Sequence, residues 1–125
     1  LEVLQDWLFL LYNSRDTNEG ADIMHDQIIR KLFLGFIQIH ILHHAKKEPF
    51  FGSWMIEELE EHGYQMSPGT LYPILHNLEA NGLLEKEERL VDKKIRKYYK
   101  ITEKGIEVLD EARNKAYELF KEIKE

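Results

Sequence analysis

Residues 67–81, SPGTLYPILHNLEAN, constrain the fold more than any other stretch of this chain. Leu71, Ile74, Leu75 and Leu78 recur at helical spacing and make one buried stripe, with Gly69, Pro73, His76 and Ala80 opposite and Tyr72 and Asn77 on the flanks. One face holds the fold and the other is free to read something. Ser67 before Pro68 is a start signal, because the hydroxyl can accept from an orphan N–H and proline at the first helical position loses no hydrogen bond. Gly82 suits a left-handed stop. Pro73 opposes this reading: in the second turn it removes a bond to Gly69, which usually costs about 3 kcal/mol. The pattern alone also permits a turn through Tyr72 and a helix beginning at Pro73.

Two strands are expected next, over residues 83–89 and 95–102, with Tyr99 and Ile101 on one face and Tyr98, Lys100 and Thr102 on the other. Their tip is basic, with Arg89, Lys93, Lys94, Arg96 and Lys97. Such a hairpin suits phosphate contacts, and equally a solubilised sheet edge. Thr102 then caps a last helix over residues 103–124, where Leu109, Ala112, Ala116, Leu119 and Ile123 step by three and four and Ile106 and Phe120 broaden the seam. Upstream, residues 23–44 read as a helix with an apolar face of Ile28, Ile29, Leu32, Phe33, Phe36, Ile37, Ile41 and Leu42. Residues 46–52 break it, with Phe50 and Phe51 plugging the core. Ser53 is the expected N-cap of a short helix over residues 54–62, whose Glu57, Glu58, Glu60 and Glu61 read as a solvated face. Residues 1–12 are an apolar helix that needs a partner surface, and residues 13–22 a polar linker.

The letters SPGTLYPILHNLEANGLL, followed by KKIRKYYKITEKG, resemble the PadR family of transcriptional regulators, whose Ser-x-Gly-Thr-Leu-Tyr-Pro run opens the recognition helix of a winged helix-turn-helix. The similarity runs from about residue 28 to the end of the chain and favours a helix that carries Pro73 inside it. It implies a mainly α protein with a small β-hairpin wing (α+β): residues 1–27 as an N-terminal apolar arm and linker, 28–102 as the winged helix domain, and 103–125 as a C-terminal dimerisation helix. The implied function is a cytoplasmic, homodimeric, ligand-responsive repressor that recognises a palindromic operator in double-stranded DNA.

By the same resemblance, the DNA contacts are Ser67, Gly69, Thr70, Tyr72, Pro73, His76 and Asn77 in the helix and Lys93, Lys94, Arg96 and Lys97 in the wing. Leu109, Ala112, Ala116, Leu119, Phe120 and Ile123 form the dimer interface. A small aromatic or amphipathic effector would meet Trp7, Phe33, Phe36, Phe50 and Phe120. The family's usual His-Gly-Tyr is replaced by Phe51, Gly52 and Ser53, so no role for that tyrosine carries over.

Charge bears directly on this expectation. The net charge is −6, whereas DNA binders usually show a basic footprint. Residues 1–29 carry −5 and residues 67–104 carry +2, so the only net-basic region is the one assigned to DNA. A locally basic face on an acidic body implies modest affinity and steep salt dependence. With no cysteine there is no disulfide or thiolate chemistry, and no Gly-rich phosphate loop, Ser-elbow or HExxH pattern suggests an enzyme. The longest apolar run, residues 32–42, is too short to span a bilayer, so no membrane association is expected. No cofactor is expected either.

His40, His43 and His44 include an i,i+4 pair that sets two imidazoles on one helix face. They lack an evident third ligand unless His25 or His62 approaches, so the expectation is packed or solvated histidines and no metal. The alternatives kept in view are a metal-responsive regulator using these histidines, and a winged-helix interaction module that does not bind DNA.

Overall fold

The computed structural model describes residues 20–125. The expected N-terminal helix and most of the linker, Trp7 included, lie outside the described residues.

Helix α1 spans Gly20–Lys47, β1 Phe50–Phe51, α2 Gly52–Glu61, α3 Pro68–Ala80, β2 Leu84–Val91, β3 Lys94–Ile101 and α4 Glu103–Ile123. The three strands form one antiparallel sheet in the order β1-β3-β2, with Phe50 paired to Tyr99 and Leu84 to Ile101. This is the expected mainly helical chain with a hairpin wing. The small third strand was not anticipated, because two residues are too few to show alternation.

The core is drawn from every element: Leu34, Ile37, Ile41 and Leu42 of α1, Phe50, Met55 and Leu59, the whole Leu71, Ile74, Leu75 and Leu78 stripe, Leu84, Tyr99 and Leu109. Phe50 stacks on Tyr99 with ring centroids 5.8 Å apart, which is how it plugs the core.

Helix α1 departs from expectation at both ends. It already includes residues 20–22, which the composition assigns to the linker, so the expected boundary between residues 27 and 28 falls inside one continuous helix. Its 28 residues make a rod about 42 Å long, longer than the core beneath it. Ile28, Leu32, Phe33 and Phe36 are consequently exposed, and only the C-terminal part of the stripe is buried.

Helix α2 begins one residue before Ser53, and the expected Ser53 cap is not formed. Phe51 holds the N-cap position with an extended backbone (φ −110°, ψ 157°) that its pairing with Tyr98 already imposes.

The hairpin tip is tighter than the sequence suggests. Only Asp92 and Lys93 turn the chain, both left-handed at φ 50° and 66°, as a two-residue type I′ connection requires. Aspartate tolerates this conformation, whereas lysine does so at a cost. Lys93→Gly should therefore raise stability by about 0.5–1 kcal/mol, visible as a melting temperature a few degrees higher.

Candidate nucleic-acid interface

Helix α3 keeps Pro73 inside it, which selects the longer of the two helices the sequence allowed. The bond Pro73 cannot make is the one to the Gly69 carbonyl, and Gly69, the second helical residue, is exposed, so water can meet that carbonyl. At the start, the carbonyl of Ser67 accepts from the N–H groups of Thr70 and Leu71 at 3.0 and 2.9 Å. The expected Ser67 side-chain cap is absent: its hydroxyl donates instead to the Thr70 hydroxyl at 3.2 Å. Gly69 is exposed, with only Ser67 Oγ near its Cβ position at 3.9 Å, so the first turn presents backbone and Ser67 outward with Thr70 half-buried beside them.

Tyr72 occupies the next turn and is 37% exposed. A Cβ at Gly52 would overlap the Tyr72 hydroxyl and ring, so the tyrosine lies across the start of α2 with its outer edge free. Gly52 thus supplies the close approach that fixes the tyrosine's direction. His76 follows one turn on, exposed, its ring centroid 6.4 Å from that of Tyr72. Asn77 is different: it is 8% exposed, and its Oδ1 accepts from Asn81 Nδ2 at 3.2 Å while its carbonyl accepts from the same group at 2.8 Å. That arrangement serves the end of α3, and an outward reading role for Asn77 does not fit it.

The end of α3 is tied to α4. Asn81 donates to the Asn77 carbonyl, Gly82 turns left-handed at φ 75°, and the Leu83 N–H bonds Leu78 O at 2.9 Å. The Thr102 hydroxyl donates to Gly82 O at 2.6 Å and accepts from the Gly105 N–H at 3.0 Å, as expected of a helix cap. Lys104 Nζ donates to Asn81 O at 3.0 Å.

In the wing, Lys93, Lys94 and Lys97 are exposed and make no ion pair among the described residues. The two arginines are positioned by rings: Arg96 lies 4.3 Å over Phe51, and Arg89 lies 4.4 Å over Tyr98 while pairing with Glu87 at 3.1 Å. Sequence reading had no means of finding the Arg96 stack, because it depends on β1 joining the sheet.

The expected effector residues are only partly brought together. Phe36 and Phe120 line an open groove of about 460 Å³ between α1 and α4, with Ile39, His40, His43, Leu109 and Arg113. Phe33 instead meets Tyr64 edge to face at 5.8 Å, and Phe50 is core. Of the expected dimer residues, Leu109 is buried in its own domain, whereas Leu119, Phe120 and Ile123 stand 54–63% exposed. No helix among the described residues is long and apolar enough to cross a membrane.

Comparison with known proteins agrees with this fold. The model of the Transcriptional regulator PadR-like family matches residues 41–111. Transcriptional regulator Rv3488 of Mycobacterium tuberculosis is 48% identical over 87 residues, which cover 70% of this chain and 81% of that one. A PadR-like transcription factor structure from Bacteroides fragilis superposes with a TM-score of 0.67 at 32% identity, covering 77% of this chain and 94% of that one. A PadR family regulator structure from Eggerthella lenta gives a TM-score of 0.68 at 30% identity, covering 83% and 92%. With the recognition-type helix, the wing and a family match across more than half its length, this chain belongs to the PadR-like family of transcriptional regulators and is not an enzyme.

Proposed function

We propose that the protein is a homodimeric repressor that grips a palindromic operator through α3 and the wing and releases it when a small aromatic or amphipathic molecule enters the groove between α1 and α4. The observation that carries this reading is the outward edge of α3, where the exposed Gly69, Tyr72 and His76 follow one another on one face, with the paired Ser67 and Thr70 hydroxyls at the start of the helix. Helix N-termini favour phosphate, and the side chains one and two turns on are placed to meet base edges. The wing lysines would then hold the flanking backbone, which positions the protein and makes binding salt-dependent.

Dimerisation is supported by the exposed apolar residues of α4 and of the first half of α1, more than a lone domain ordinarily leaves in water. The groove is mostly apolar, with His40, His43 and Arg113 as polar groups, which suits an amphipathic guest.

The test is a fluorescence anisotropy titration against duplexes selected from a random pool. Wild type should prefer the selected palindrome, with affinity falling steeply with salt. Tyr72→Ala should lose at least about tenfold in affinity, on the scale of one good base contact, while its circular dichroism stays unchanged. Gly52→Ala should weaken binding in the same direction by displacing Tyr72. Undiminished operator binding by Tyr72→Ala would sink the assignment.

A further inference from the structure

We propose that His40 and His44 of α1, together with Glu58 of α2 and His62 just beyond it, form a binding site for a divalent transition-metal cation of zinc-like character. The fold supplies the third imidazole that the i,i+4 pair lacked in sequence. Ligand nitrogens of His40, His44 and His62 all lie within 4.8 Å of one another. Metal–nitrogen bonds of about 2.0–2.1 Å in a tetrahedron set the nitrogens about 3.4 Å apart, so closure needs only small side-chain rotations. Glu58 and His62 are themselves an i,i+4 pair, so two such pairs face each other. One carboxylate oxygen, Glu58 Oε1, already lies 3.3 Å from His44 Nε2 and 3.5 Å from His62 Nε2.

A second observation makes the cluster more than a group of neighbours. His44 Nε2 is buried and, despite its proximity to Glu58, has no aligned hydrogen-bond partner. A desolvated ring nitrogen of this kind is costly unless something accepts its lone pair or its proton. A cation between the four groups meets that need. Burial foremost holds both His40 and His44 below the usual imidazole range, which keeps them in the neutral form that ligates. Three imidazoles and one carboxylate suit zinc, cobalt or nickel and are a poor match for magnesium or calcium, which take oxygen ligands.

His43 is not part of the set. It lines the groove, and among the charges around it are Lys46, Lys47 and Arg113. The site joins the long helix α1 to the last turn of α2, directly before the connection that leads into α3. A bound cation therefore fastens α1 to the segment that presents the reading helix.

The experiment uses the full chain and needs no DNA, so its failure leaves the operator reading untouched and failure of the operator reading leaves it untouched. Cobalt(II) titration should give the intense visible bands of four-coordinate cobalt at one ion per chain, displaced by zinc. Zinc should raise the melting temperature, and a chelator should reverse the rise. His62→Ala, at a half-exposed position that tolerates truncation, and His44→Gln should each weaken binding at least tenfold and abolish the thermal shift, whereas His43→Ala should retain both. Zinc binding unaffected by His62→Ala, equal loss in His43→Ala, an octahedral cobalt spectrum, or binding without a thermal shift would each overturn the proposal.

Discussion

Gly105→Ala is expected to destabilise the protein by about 2–3 kcal/mol, a large part of the 5–15 kcal/mol typical of a domain. The glycine sits in the first turn of α4, where a Cβ would run into the Leu83 carbonyl and into Ile101 Cγ1. Neither obstacle can swing away. The Leu83 carbonyl already accepts from the Thr102 N–H at 3.1 Å, and Ile101 ends the central strand paired to Leu84. The added methyl must push α4 off the sheet, which weakens the Gly105 to Thr102 cap as well. Urea unfolding should show the midpoint falling with an unchanged slope. Gly35→Ala is the matched control: beyond its own helix backbone and chain neighbours nothing lies within 4 Å of its Cβ position, so replacing a mid-helix glycine there should stabilise by about 0.5–1 kcal/mol. Equal effects at the two glycines would show that close packing at Gly105 is not what limits it.

The second large effect is expected from Leu119→Glu combined with Ile123→Glu. Both residues are exposed on the last two turns of α4, and in the monomer they touch little, so the double variant should fold. In the proposed dimer they face a second copy, and burying two carboxylates there without partners is strongly unfavourable. Sedimentation velocity at micromolar concentration should change from dimer to monomer. Operator affinity should fall by about 10²-fold or more, because each half-site must then be held without the gain of the linked second one. A variant that stays dimeric would place the contact elsewhere, with the uncovered half of α1 as the first place to look.

Periodicity made most of this fold readable. The Leu71 to Leu78 stripe, the Gly82 stop, the Thr102 cap and the alternation that separates Tyr99 from Tyr98 all follow from local rules that operate within a few residues. What sequence reading missed depends on contacts between distant segments. The strand at Phe50–Phe51 exists only because β3 offers an edge, and the stacking of Arg96 depends on that strand. Asn77 looked available on a helix flank and is instead taken up by Asn81. Glu58 shared a charge cluster with Glu57, Glu60 and Glu61, yet it alone turns to His44 and His62. Family resemblance pointed to Tyr72 without revealing that Gly52 holds it in place.

The junction at Thr102 bears on operator architecture. Since its hydroxyl joins Gly82 to Gly105 and Lys104 clasps Asn81, α3 and α4 are effectively one bent lever. In the proposed dimer, a pair of such levers hinged at α4 would admit little independent swivel. Moving two half-sites apart by a single base pair also rotates one against the other by about 34°, from 10.5 base pairs per turn. An assembly this stiff should therefore reject operators with altered spacers more sharply than those with single altered letters.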